Sequence, residues 1–260
     1  MSPFAPLVPP LAAADPLAAD VRCVAGVDGC RGGWLVVLAS HRAESRAQPA
    51  MEVRLCRHFQ EVLELAERPV VIAVDIPIGL PDRFVDGGRR CDRDARTLLG
   101  PGWSSSVFSP PARAALGAPD HTEAMKRQGG GLSIQSYNIA PRILEVDSLL
   151  SPDLQGRVIE AHPELAFRHL HAGEPLAWRK HTDAGRRERI RLLREAFGEH
   201  LPDAMTARRR LGATAVGVDD VLDACVLAHV AWLIHRREAY RVPASEPPRD
   251  ARNLRMETWF

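Results

Sequence analysis

The chain predicts an α/β protein built on a mixed sheet, and three observations predict it. Residues 21–38 hold two short apolar, β-branched runs separated by a glycine-rich reversal, the pattern of a hairpin. An amphipathic segment and then a second buried run, Val70–Val74, follow; a helical crossover of that kind returns a strand parallel to the first. A third apolar segment at 157–161 again leads into helical spacing, so strands and helices alternate along the chain.

In order, Val21 to Val27 reads as a strand buried on both faces, and Asp28 stands at its end. Gly29 to Gly33 form the bend, and Trp34 to Leu38 the returning strand. A polar loop at 41–50 leads to a third strand around Met51–Cys56. From His58 to Glu67, Phe59, Val62, Leu63 and Ala66 fall at helical spacing, and Arg68-Pro69 ends the helix. Val70–Val74 is the next strand; it closes on Asp75, and Pro77 cannot continue a central ladder because it has no N–H to give. If this strand runs parallel to the first, Asp28 and Asp75 emerge together at the edge where open α/β sheets place their ligands.

Residues 77–150 are a long insertion: a basic helix at 89–100, a Ser/Pro loop at 101–113, a Gly129-Gly130-Gly131 break, and a helix within 136–150 with Pro141 near its first turn. Arg157 to Ala161 form a strand carrying Glu160, and Pro163 opens the next helix. A loop at 171–185 precedes a strongly basic helix at 186–198. The last strong element is 217–238, in which Val218, Val221, Leu222, Cys225, His229, Trp232 and Leu233 form one apolar stripe and Asp223 lies off it. The proline-rich tail beyond 238 has no assignable pattern.

With 260 residues, 45% hydrophobic and 26% charged, the chain can bury a sizeable core. Residues 21–260 are expected to form a single domain. No run reaches the roughly 18–20 apolar residues of a membrane span, so no membrane partner is expected. No basic residue precedes the apolar part of the N-terminus; residues 1–20 are expected to be a disordered leader and not a secretory signal. A net charge of +1 gives no global field for a polyanion, although arginines cluster at 89–96, 186–194 and 208–210. An aromatic content of 5% argues against a stacking platform for single-stranded bases. The five cysteines are odd in number and widely spaced, so neither a disulfide framework nor a zinc site follows, and a reducing, cytoplasmic setting is expected.

The chemistry rests on Asp28, Asp75, Glu160, Asp220 and Asp223. Hard divalent cations take carboxylate oxygens, and two of them about 4 Å apart can clamp an in-line phosphoryl displacement. Without an ion, such a cluster of like charges raises its own pKa values. Asp220 and Asp223 are three residues apart, so both reach one side of a helix start. Plainer roles stand beside these: Asp219 or Asp220 as a helix cap, Asp75 as a turn-former, Glu160 as the partner of an arginine. GCRGG reads as a hairpin turn before it reads as a phosphate nest, and His162, His229 and His235 as core or surface histidines.

The segments VAGVDGCRGGWLVV, VVIAVDIPIGLPD, RRCDRDARTLLG with SVFSPPAR, GLSIQSYNIAPRILEVD, VIEAHPE, and GVDDVLDACVLA with METWF resemble the domain-of-unknown-function family 429, described as predicted nucleases of ribonuclease H-like fold. The resemblance runs from about residue 23 to the end. It implies a five-stranded sheet in the order 3-2-1-4-5 with strand 2 antiparallel. It places the acids of strand 1, strand 4 and the late helix on Asp28, on Asp75, and on Asp220 with Asp223, the last pair spaced as in Holliday-junction resolvases. Glu160 has no fixed counterpart. Arg96, Ser109, Arg113, Gln135 and Lys180, in or between the family-like segments, are candidates for binding substrate phosphate or base.

The expectation is a metal-dependent phosphodiester hydrolase using Mg²⁺ or Mn²⁺ on a nucleic acid or nucleotide. The alternatives are an actin-like-kinase-class phosphotransferase, which normally needs a second such domain, and a non-catalytic nucleotide- or protein-binding module on the same fold.

Overall fold

The computed structural model describes residues 21–42 and 49–260. The expected leader at 1–20 and most of the loop after the hairpin lie outside the described residues. In chain order the elements are β1 (Val21–Cys30), β2 (Gly33–Arg42), β3 (Ala50–Cys56), α1 (Phe59–Leu63) and β4 (Ile72–Val74). Then come α2 (Arg90–Leu99), α3 (His121–Gln128), α4 (Ile134–Leu149), β5 (Val158–Glu160) and α5 (Pro163–Leu170). The chain continues through α6 (Asp183–Phe197), α7 (Ala204–Leu211), α8 (Val218–Arg236), β6 (Arg241–Val242) and β7 (Thr258–Trp259). Two compact units result: residues up to Asp75 with Gly156–Tyr240 and Phe260, and residues Ile76–Gln155 with Arg241–Trp259.

The first unit holds a five-stranded mixed sheet in the order β3-β2-β1-β4-β5. β2 runs antiparallel to both its neighbours, while β1, β4 and β5 are parallel. The hairpin is tighter than a five-residue bend: pairing continues to Cys30 opposite Gly33, leaving only Arg31 and Gly32 in the turn. Gly33 makes this possible, since its φ of +132° is open to glycine and strained for other residues. Asp28 therefore lies inside β1, opposite Leu35, and not at the bend.

Side chains two apart on a strand share a face. An added Cβ on Gly26 would sit 2.6 Å from the carbonyl carbon of Leu227, so the backbone of α8 rests directly on β1 there. Asp28 shares that face with Gly26. Trp34 lies on the other face, where its ring meets Phe59 of α1 edge-on at 5.0 Å. Helices thus flank the sheet on both sides. α8 is buried round most of its circumference, Asp223 included, because it packs on β1, β2 and β4 and is covered by α5, α6 and α7. One apolar stripe underestimates it: Val226, Leu227 and Val230 are as buried as Val221 and Cys225.

In the second unit α4 begins at a Ser133 cap, whose Oγ accepts from the Ser136 N–H at 3.0 Å. Pro141 therefore falls in the helix interior and not in its first turn; it forfeits one backbone hydrogen bond there. The tail from Arg241 to Trp259 is part of this unit. Gln155 exchanges two hydrogen bonds with the backbone of Arg255, at 2.7 and 2.8 Å, and β6 pairs with β7. No helix among the described residues is long and apolar enough to cross a membrane.

Candidate functional site

The parallel ladder sets the first two acids. Val27 pairs with Val74, and the Asp75 N–H donates to the Val27 carbonyl at 3.0 Å, so Asp28 and Asp75 follow one another on adjacent strands. Close packing at Gly26 sets the third. It brings the first turns of α8 down onto β1, and Asp223, one residue before Ala224, is buried there at 2% exposure. Asp220 lies a turn earlier, where its Oδ2 accepts from the Gly217 N–H at 2.8 Å. Gly217 is the N-cap of α8, and Asp220, not Asp219, satisfies its N–H from the third helical position. Asp219 instead accepts from Arg186 Nε at 2.9 Å and meets His181 at 3.1 Å. Burial pulls its carboxyl up, but those hydrogen bonds prevail and hold it below the usual carboxylate range.

A cation completes the group. Lys180 Nζ donates to Asp223 Oδ2 at 2.7 Å. Its loop is tied to α6 at several points. Thr182 caps that helix through Gly185 N–H at 3.0 Å and donates to the Arg179 carbonyl at 2.8 Å. Gly185 has no Cβ where one would stand 2.7 Å from the Arg179 carbonyl carbon. Arg189, held by both carboxylate oxygens of Glu164 at 2.9 and 2.8 Å, donates to the Trp178 carbonyl at 3.2 Å.

The electrostatics follow from four acids and one lysine in a partly buried corner. Burial, and then the charges of Asp223 and Asp75, push the Asp28 carboxyl well above its ordinary range against the pull of Lys180. Burial raises Asp75 to about 6; His162 and Lys180 oppose this, while Asp223 and Glu160 add to it. Burial also raises Asp220, opposed by the Gly217 N–H. The same field, Asp223 foremost, pushes Lys180 up. Cys225 beside Asp223 is an inert thiol, pushed to about 12 by burial. Oδ1 of Asp223 is buried with no hydrogen-bond partner among the described residues.

Not every expected residue joins this group. Glu160 pairs with Val74, which in turn pairs with Val27, so the pleat turns its side chain to the face opposite Asp28. Its charge nevertheless adds to the upward push on Asp75. Arg96, Ser109, Arg113 and Gln135 belong to the second unit. There Arg96 donates to the carbonyls of Val107 and Gly87 and to Ser109 Oγ at 2.9 Å. Arg113 bridges the carboxylates of Asp147 and Asp250, and Gln135 is exposed on α4. Ser109 lines a cavity of about 240 Å³ with Phe84, Phe108 and Gln128. Sequence reasoning missed Gly26 as a positioning residue, although a lone glycine inside an apolar strand signals close backbone approach. It also missed His162 as a neighbour of Asp75.

Together these features define an α/β protein whose mixed sheet brings aspartates, two buried and two half-buried, to the carboxyl ends of β1 and β4 and the start of α8. The chain belongs to the family described as protein of unknown function (DUF429), whose model matches residues 26–248. No curated protein and no solved structure gives a significant match.

Proposed function

We propose that the protein is a metal-dependent phosphodiester hydrolase of ribonuclease H-like fold, acting on a nucleic acid or nucleotide. The observation that carries the reading is the state of Asp223: a buried carboxylate with one oxygen on Lys180 and the other without a partner, among three further aspartates. An uncompensated buried carboxylate oxygen is costly. A hard divalent cation is the partner that an all-oxygen donor set suits. Strand order and the placement of acids on β1, after β4 and on α8 support the fold assignment.

Asp28, Asp75 and Asp223 would hold Mg²⁺ or Mn²⁺, with Asp220 completing the set; Glu160, on the other face, is outside it. When bound, such ions supply an activated water and a counter-charge to the leaving oxygen. The chain's own groups do the rest. The raised carboxyls of Asp28 and Asp75 favour a state that binds either protons or cations. Asp220, whose Oδ2 is held by the Gly217 N–H, stands one turn before Asp223 and adds its charge to the set.

The test is cleavage of a panel of single-stranded, duplex, junction and mononucleotide phosphodiesters with Mg²⁺ or Mn²⁺. Turnover of at least one substrate is expected, lost on chelation and reduced at least about 100-fold in Asp28→Asn and Asp223→Asn. Equal activity in chelator, or in both variants, overturns the reading.

A further inference from the structure

We propose that Lys180 is the resident counter-ion of the aspartate cluster: its ammonium holds the acids together in the absence of divalent ions and must release Asp223 before one can bind. This rests on the metal-site reading above. Lys180 lies 2.7 Å from Oδ2 of Asp223, and its charge also bears on Asp28, Asp75 and Asp220. The ammonium thus bears on the whole set, and a divalent ion would need the oxygens it now engages.

The geometry suits a reversible plug. The Asp223 side chain is 3% exposed and that of Lys180 34%, so the lysine reaches in from an open side. The backbone just before it, at Trp178 and Arg179, is held by Thr182, Gly185 and Arg189. Release therefore requires only rotation of a flexible four-carbon stem and no opening of the core. Oδ1 of Asp223 is not engaged by the lysine, so once the ammonium has left Oδ2 an incoming cation finds both oxygens of that carboxylate. Two cations sharing one carboxylate repel, so occupancy by one disfavours the other.

The experiment compares wild type, Lys180→Met, Lys180→Arg and the exposed-surface control Lys126→Met as full-length, metal-stripped proteins. Mn²⁺ affinity is measured by calorimetry and melting in EDTA. Lys180→Met, uncharged and of similar length, is expected to bind Mn²⁺ at least about tenfold tighter, equivalent to about 1.4 kcal/mol. It is also expected to melt below wild type in EDTA and to recover with saturating Mn²⁺. Lys180→Arg and Lys126→Met should stay within about threefold of wild-type affinity. If wild type binds Mn²⁺ and Lys180→Met binds no tighter, the inference fails and the metal site stands. If Lys180→Arg gains as much as Lys180→Met, packing and not charge is responsible, and the inference fails. If no form binds Mn²⁺, the metal-site reading itself fails. A Lys180→Met protein that folds only with Mn²⁺ supports both.

Discussion

Replacing Asp75 by Asn should stabilise the metal-free protein at neutral pH, contrary to what loss of a native side chain usually does. Burial and neighbouring carboxylates raise the Asp75 carboxyl to about 6, from an ordinary value of 3.8. Between those two pH values the folded chain holds a proton that the unfolded chain has released. Stability therefore falls as pH rises through this window and levels off above it. A shift of about two pH units is worth roughly 3 kcal/mol, an upper figure because Asp75 is partly open to water. At about 2–4 °C per kcal/mol for a chain of this size, the Asp75→Asn change should raise the melting temperature by several degrees at pH 7.5 and by almost nothing at pH 4. Lys180 does not contribute to this slope, since its raised pKa keeps it charged throughout. Thermal melts of both proteins in EDTA at half-unit pH steps read the difference directly. Parallel melting profiles, or a variant that is less stable at pH 7.5, would refute the electrostatic reasoning.

Other perturbations separate scaffold from site. Gly26→Ala drives a methyl into the backbone of α8 and should cost about 1–3 kcal/mol or more in urea unfolding, with a loss of Mn²⁺ affinity because Asp223 is displaced. Glu164→Gln leaves the Arg189 guanidinium, 1% exposed, without its charge partner; a loss of about 3–5 kcal/mol is expected, read by chemical denaturation. Arg113→Met removes the cation shared by Asp147 and the buried side chain of Asp250 in the second unit, leaving Asp147 only Arg252 as an ion-pair partner, so it should lower the melting temperature in thermal melts. Were Arg113 a substrate ligand alone, melting would stay put and only the Michaelis constant would rise.

The fold was largely legible because its signals are local. β-branched runs, a proline at 77 that forbids continuation and a helix between β3 and β4 together specify a mixed sheet with β4 parallel to β1. Asp28 and Asp75 were legible for the same reason: an acid at the end of each of two adjacent parallel strands must come out at one edge. The Asp220/Asp223 pair followed from helical spacing. What the sequence hid depends on register and on contacts distant in the chain. Glu160 sits in a three-residue strand, and which face it takes depends on its pairing with Val74. Lys180 lies in a loop without periodicity, 43 residues from Asp223, so no local pattern joins them. Asp250 reads as one more charge in a proline-rich tail, yet it accepts hydrogen bonds from the N–H groups of Leu80 and Leu254 and pairs with Arg113. Pro141 misled because proline tolerance in a first turn is a rule about preference; Ser133 moved the start of the helix two turns upstream.

The most direct test of the central claim is anomalous diffraction from crystals soaked in Mn²⁺. A manganese peak within coordinating distance of Asp28 and Asp223, about 2.0–2.2 Å for a hard six-coordinate ion, with Lys180 swung away, is the predicted result. A site without manganese under saturating conditions, with Lys180 still seated on Asp223, would contradict it.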